Sequence, residues 1–345
     1  MQADERRFAI ILGAGAAGII QGYAFLREDV LPLEEFHILD RNESFGGVWW
    51  SNTYPGAACD IPSNEYCITE IQQYFEGFAL KYQLDKSTTF NTEIVSATWD
   101  DSRLLWFVQT QDSKSSSQKI WCYNVLVSAA GAFGMPKKAD IAGLKTFKGE
   151  QWHLGSWPKD DDLKNKSVAV IGTGQSAGQA IPSIYPEVKQ LTVYQRSPGH
   201  CLPRNDVSIS GSRNYRWFGM AQFGFVAKRI FHIGSWWQKF VVGMAKNHLY
   251  NQISDDNLRR KLESKSHFGC KRPLKLDTWY PIFTNNNVDL VTDPVTGLTE
   301  DGILSREAEG GREIERKMDV LIWDTGYNSN KFGTPVPTRA YSIQK

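Results

Sequence analysis

One unit that occurs twice restricts this 345-residue chain more than any other feature: a short apolar run, a glycine-rich turn and a helical stretch. The first copy reads Phe8-Ala9-Ile10-Ile11-Leu12, then Gly13-Ala14-Gly15-Ala16-Ala17-Gly18, then a helical pattern to Arg27. The second reads Ser167-Val168-Ala169-Val170-Ile171, then Gly172-Thr173-Gly174-Gln175-Ser176-Ala177, and again a helical stretch. A glycine turn between a buried strand and a helix lets backbone N–H groups approach a pyrophosphate, and the helix N-terminus adds partial positive charge there. Two copies predict an α/β chain with two dinucleotide-binding Rossmann-like domains. The length agrees, at roughly 150 residues per domain.

The residues beyond each turn separate the two ligands. After the first, the apolar run Phe36 to Leu39 ends at Asp40, 22 residues beyond Gly18. A carboxylate at that spacing suits a ribose hydroxyl and repels a 2′-phosphate. Gly13, Gly15, Gly18 and Asp40 are therefore expected to hold FAD or NAD. After the second, Leu191 to Tyr194 leads into Gln195-Arg196-Ser197 with no acid. The planar donors of Arg196 suit a 2′-phosphate. NADPH is expected here, against Gly172, Thr173, Gly174, Gln175, Ser176, Ala177, Gln195 and Arg196. An NADPH site favours FAD over NAD at the first turn, and the pair predicts a flavoprotein that accepts hydride.

Elsewhere the pattern changes. Thr92 to Thr98, Leu104 to Thr110 and Lys119 to Val127 alternate apolar and polar residues, which predicts an antiparallel meander on the first domain. Residues 211–268 combine Trp217, Phe218, Trp236, Trp237 and Phe240 with scattered Lys and Arg and predict a helical insertion. Val288 to Val291 and Met318 to Trp323 predict strands again. The expected domains are an FAD-binding one over 1–145 and 307–345, an NADP-binding one over 146–210 and 269–306, and the insertion over 211–268.

Composition removes other classes. Lys plus Arg is 39 against 38 Asp plus Glu, a net charge of +1 that leaves no field to hold nucleic acid. The longest charge-free aromatic run, Trp217 to Ala227, is eleven residues, too short for a transmembrane segment. The five cysteines are scattered without a Cys-x-x-Cys, which argues against a disulfide framework or a dithiol centre and for a cytoplasmic protein. The six histidines show no ligand spacing, so no metal is expected. Electrons from the flavin would pass to oxygen, a quinone or another protein, and the residues alone leave these open.

Two longer stretches carry a resemblance. Phe147-x-Gly149-x-x-x-His153-x-x-x-Trp157-Pro158 is similar to the Baeyer–Villiger monooxygenase fingerprint at every fixed position. Gly46-Gly47-Val48-Trp49, Tyr54-Pro55-Gly56 and Asp60 resemble the family's second signature. The likeness covers about residues 8 to 330. It implies that the fingerprint links the two nucleotide domains, with His153 supporting domain motion. It implies that Val48, Trp49, Asp60 and Tyr66 (in Asn64-Glu65-Tyr66) lie at FAD. Within Gly269-Cys270-Lys271-Arg272-Pro273, it implies that Lys271 contacts NADP and that Arg272 is the active-site arginine, oriented by Asp60. The activity implied is insertion of one atom of O2 beside the carbonyl of a small-molecule ketone, giving an ester or lactone through a C4a-peroxyflavin, in secondary-metabolite biosynthesis. The alternatives are a flavin monooxygenase acting on nitrogen, sulfur or aldehyde substrates, and a truncated non-catalytic nucleotide-binding relic.

The sequence departs from that family in three places. The likeness jumps between Cys67 and Thr69, where the family carries an aromatic stretch. Asp324 stands where the family has Ala, on a strand resembling the one that returns to FAD, so a carboxylate is expected close to the flavin. The chain ends at Lys345, ahead of the family's sheet-completing segment, which predicts an exposed sheet edge and an uncovered flavin.

Overall fold

The computed structural model describes residues 5–59, 71–137, 139–204, 229–307 and 311–328. The chain forms two compact units. The first draws on Met1–Ser51, Ile68–Lys137 and Tyr327–Lys345, the second on Asn52–Cys67 and Lys138–Gly326.

In the first unit, β1 (Ala9–Leu12) is a continuous apolar run and is buried at all four positions. α1 (Ala16–Arg27), β2 (Phe36–Leu39), α2 (Ile71–Lys81) and β3 (Thr88–Thr89) follow. The meander is β4 (Thr92–Asp100), β5 (Leu105–Asp112) and β6 (Gln118–Tyr123), and β7 (Val125–Ser128) comes directly after it. The parallel sheet runs β3-β2-β1-β7. Because strand side chains alternate, β1 supplies two cores. Ala9 and Ile11 join Ile19 of α1 with Phe36 and Ile38, whereas Ile10 and Leu12 join Ala97, Val108, Trp121 and Tyr123 of the meander.

The run expected as one strand from Lys119 to Val127 breaks at Asn124. Up to Tyr123 the chain pairs with β5, and from Val125 it pairs with β1. The Asn124 and Val125 N–H groups both turn to the Phe8 carbonyl. The alternation continues through the break, so residue pattern alone does not show that the strand changes sheets.

The second unit begins with β8 (Glu150–His153), β9 (Ser167–Ile171), α3 (Gln175–Ile184) and β10 (Gln190–Tyr194). The insertion supplies α4 (Trp236–Gln252) and α5 (Asp256–Leu262), capped by Ser235 and Asp255, which accept the N–H groups of Gln238 and Leu258. The aromatic residues of 205–228, among them Trp217 and Phe218, lie outside the described residues. Then come β11 (Val288–Val291), β12 (Val295–Leu298), β13 (Gly302–Arg306), β14 (Glu313–Lys317) and β15 (Val320–Trp323). The strands β12, β13 and β14 form a separate antiparallel sheet. The main sheet is parallel throughout, in the order β11-β10-β9-β15-β8.

That order corrects one boundary. Residues from 307 were expected to rejoin the first domain, yet β15 pairs with β9 and β8, and the chain stays in the second unit to Gly326. The physical reason is burial on both faces. Val320 and Ile322 enter one core of the second unit, and Leu321 and Trp323 the other. Among the described residues no helix is long and apolar enough to cross a membrane.

Candidate functional site

The first glycine turn is held by close backbone approach. Gly13 sits at φ +113°, where a Cβ would strike the Ala129 carbonyl, and its N–H donates to Leu39 O at 2.7 Å. A Cβ on Gly18 would collide with the Gly13 carbonyl, so this glycine lets α1 press onto the turn. Gly46 N–H donates to Ala14 O at 3.1 Å, which brings the Gly46-Gly47 pair onto the same turn. Val48 and Trp49 follow in the one-turn helix Val48–Ser51.

Asp40 completes this cradle. It is buried, one carboxylate oxygen accepts the Ala14 N–H at 2.6 Å, and the other accepts the Asn42 N–H at 2.8 Å. Each oxygen keeps acceptor capacity for a hydroxyl. α1 carries no side-chain cap and no acid in its first turn, so its N-terminal donors remain for an anion. Gly13, Gly15, Gly18, Asp40 and Val48 thus come from separate stretches to one place and fit the FAD expected there. Asp60 and Tyr66 lie outside the described residues.

The second turn repeats the geometry. Gly172 sits at φ +116°, and Gly174 is the N-cap residue of α3, which has no cap from its own side chains. Both amide atoms of the Gln175 side chain are buried without a protein partner. An orphaned amide at a helix N-terminus fits a missing polar ligand. Beyond β10 the exposed Arg196 and Ser197 are met by Lys271, whose Nζ donates to Ser197 O at 2.8 Å and also to Ser197 Oγ. Partial burial and the Arg196 charge hold the Lys271 ammonium below the usual lysine range. Two cations and a hydroxyl suit a phosphate monoester. Gln195, expected at the cofactor, instead gives its amide to Lys261 O at 2.9 Å and ties β10 to α5.

Asp324 corrects another expectation. It is the first residue after β15, and its carboxylate accepts the Gly174 N–H at 2.5 Å, so it stands at the second turn and not in the first unit. Burial pushes its carboxyl up, opposed by bonds from the Gly174 and Ala177 N–H groups.

The fingerprint forms β8 and the loop after it. Phe147 and Trp157 are buried in two cores, and a Cβ on Gly149 would collide with the Asp319 carbonyl. His153 closes β8, pairing with Trp323. Its Nδ1 accepts the Gly155 N–H at 3.0 Å, which leaves the proton on Nε2 to donate to Gly326 O at 3.1 Å. Burial lowers its pKa and so favours this neutral form, and the Gly326 bond opposes that shift. The second signature is divided between the units. While Gly46-Gly47 lies in the first, Tyr54 donates to Gln179 Oε1 at 2.9 Å in the second. Arg272 lies exposed on the turn before the two-residue strand Leu274–Lys275.

Residues 60–335 match the family described as flavin-binding monooxygenase-like. The chain belongs to this family. It is 59% identical to the FAD-binding monooxygenase BOA2 of Botryotinia fuckeliana, over all of this chain and 70% of the relative. It is 33% identical to a Baeyer–Villiger monooxygenase of Pseudomonas aeruginosa, over 95% of this chain and 64% of that one. The chain thus spans about two thirds of the curated relatives' length. Among solved structures, cyclohexanone monooxygenase from Rhodococcus sp. Phi1 bound to NADP+ shares the fold, with TM-score 0.78, 24% identity, and coverage of 97% of this chain and 74% of that chain.

Two residues at the second turn in this family member, Ser197 and Gln179, carry little signal in the sequence. Ser197 had no signal beyond following Arg196, since its partner Lys271 is distant in sequence. Gln179 is buried and bonds both Tyr54 and the Ala58 carbonyl. Its position two residues past the glycine turn segment, on an otherwise apolar helix face, was the available signal.

Proposed function

We propose that this chain is an FAD- and NADPH-dependent Baeyer–Villiger monooxygenase. It would insert one atom of O2 beside the carbonyl of a small-molecule ketone to give an ester or lactone, in the cytoplasm and in secondary-metabolite biosynthesis. The observation that carries the reading is the meeting of Arg196, Ser197 and Lys271 beyond the second glycine turn, in a chain whose first turn is bonded to the acid Asp40. One turn favours a plain ribose and the other a phosphorylated one. The complete fingerprint and the Baeyer–Villiger relative support the reaction class.

When bound, FAD supplies oxygen activation and NADPH the hydride that reduces it. The residues supply placement. Gly13, Gly15, Gly18, the N-terminus of α1, Asp40, Val48 and Trp49 hold the FAD phosphates and ribose, with Asp60 and Tyr66 assigned to the same cofactor. Gly172, Thr173, Gly174, Gln175, Ser176 and Ala177 hold the NADPH pyrophosphate, and Arg196, Ser197 and Lys271 its 2′-phosphate. The Arg272 guanidinium offers several N–H donors and no acceptor, so it acts as a donor and not as a base. Its role is to stabilise negative charge on the ketone oxygen as the carbonyl is attacked, with Asp60 holding its orientation.

Absorption spectra of the purified chain before and after anaerobic NADPH, followed by product analysis on ketone and thioether panels, test the reading. A flavin spectrum bleached by NADPH, with ester from ketones, is expected. Colourless protein overturns the flavoenzyme, and sulfoxide without ester overturns the Baeyer–Villiger assignment.

A further inference from the structure

The order β11-β10-β9-β15-β8 has its switch point between β9 and β15, because the chain leaves β9 toward β10 on one side and β15 lies on the other. A dinucleotide crosses such a sheet at the carboxyl ends of the two strands flanking the switch point. Gly172 follows β9 directly, and Asp324 follows β15 directly. The crevice thus has a glycine turn on one wall and a carboxylate on the other.

The carboxylate is engaged with the turn. Asp324 Oδ2 accepts the Gly174 N–H at 2.5 Å, and a Cβ built on Gly174 would lie 2.7 Å from the same oxygen. The backbone N–H of Asp324 is fixed to Ile171 O at 2.9 Å, so the side chain starts from a rigid strand end. A helix N-terminus attracts anions, and here a carboxyl group of the protein already takes the first donor. At the same helix end the Gln175 amide has no partner, which marks the place as built for a further polar ligand.

We infer that Asp324 is an internal competitor for the cofactor pyrophosphate: its carboxyl group and the pyrophosphate claim the same Gly174 N–H at the N-terminus of α3, so NADPH binds only as Asp324 gives up that bond, or its charge. The inference rests on the assignment of NADPH to the second turn. Asp324 is then a specificity-determining residue that lowers affinity for the diphosphate part of the cofactor and leaves recognition of the 2′-phosphate by Arg196 and Lys271 unchanged.

The test is calorimetric titration of the 345-residue chain with NADP+ and, separately, with 2′-AMP, which carries the 2′-phosphate and no pyrophosphate. Wild type, Asp324→Asn, Asp324→Ala and Arg196→Ala are compared, with thermal melting as the folding control. Asp324→Asn keeps an acceptor for Gly174 and removes only the charge, so it isolates repulsion from capping. Both Asp324 variants are expected to bind NADP+ about tenfold tighter or more, with 2′-AMP binding changed by less than about twofold. Arg196→Ala weakens both ligands. Equal or weaker NADP+ binding by the folded Asp324→Asn chain overturns the competitor role, while an Arg196-dependent NADP+ site would still stand. Absence of NADP+ and 2′-AMP binding in wild type and Asp324 variants alike overturns the NADPH assignment itself, and the inference with it.

Discussion

His37 Nδ1 lies 2.9 Å from the Tyr123 hydroxyl, and its Nε2 lies 2.7 Å from Thr89 Oγ1. Both hydroxyls can accept or donate, so the bonds tolerate either protonation state. Burial, together with the charges of Arg7 and Lys119, lowers its pKa to about 3. A histidine whose native pKa lies below its unfolded value near 6.5 contributes stability that is fully present above about pH 6.5 and is lost as pH falls toward 3. Denaturant unfolding between pH 7 and 4 should show a decline of up to about 3 kcal/mol. His37→Gln should flatten that slope, at some cost in stability at pH 7. An unchanged slope in the variant would show that the acid sensitivity originates elsewhere.

The parts of this fold that were legible in the sequence are those encoded locally. A strand, a positive-φ glycine and a helix N-terminus are adjacent in the chain, so both turns could be placed, and Asp40 fell at a fixed distance along the next strand. The hidden parts depend on which sheet a strand enters. Val320 to Trp323 is apolar at every position, which suits a central strand of either sheet, and only the register with β9 and β8 decides. Asp324 was misplaced with it. The Lys271–Ser197 contact joins loops far apart in the sequence, and no residue pattern encodes that meeting.

Gly15 and Gly18 separate fold from ligand. A Cβ on Gly18 would strike the backbone of Gly13, which has no side chain to move aside, so Gly18→Ala should destabilise the chain by about 1–3 kcal/mol. A Cβ on Gly15 would meet Gly47 Cα at 3.5 Å, ordinary contact distance. With flavin stripped from both, Gly15→Ala should therefore melt within a few degrees of wild type, yet it should purify with much less flavin. Thermal melting of the flavin-free proteins and the visible flavin absorbance of the proteins as purified check the contrast. Loss of stability in both variants, or in neither, would contradict it.

Arg196 and Lys271 should set the preference between nicotinamide cofactors. Losing a charge-assisted phosphate contact costs about 1.5–3 kcal/mol, so Arg196→Ala should raise the KM for NADPH by about ten- to a hundredfold and leave NADH nearly unchanged. Lys271 also holds Ser197, so Lys271→Ala should weaken NADPH and, through movement of that loop, NADH to a smaller degree. Stopped-flow flavin reduction with each cofactor measures both. An equal loss for NADPH and NADH in Arg196→Ala would remove the argument for 2′-phosphate recognition.

Arg272 stands beside Lys271 in sequence but is assigned a different task. Lys271 is bound to the Ser197 loop, and burial together with the Arg196 charge holds its ammonium below the usual lysine range, which supports a role at the cofactor phosphate. The Arg272 guanidinium is planar and carries several donors and no acceptor, which suits an oxyanion better than a proton transfer. Arg272→Ala should therefore leave the rate of NADPH-driven flavin reduction within about threefold of wild type while ester formation falls by about a hundredfold or more. Arg272→Lys, which keeps charge but loses the planar fork, should recover only part of the loss. Reduction followed by stopped-flow and ester followed by chromatography in the same preparation distinguish the two steps. Slow reduction with normal coupling to ester would place Arg272 with the nicotinamide cofactor instead.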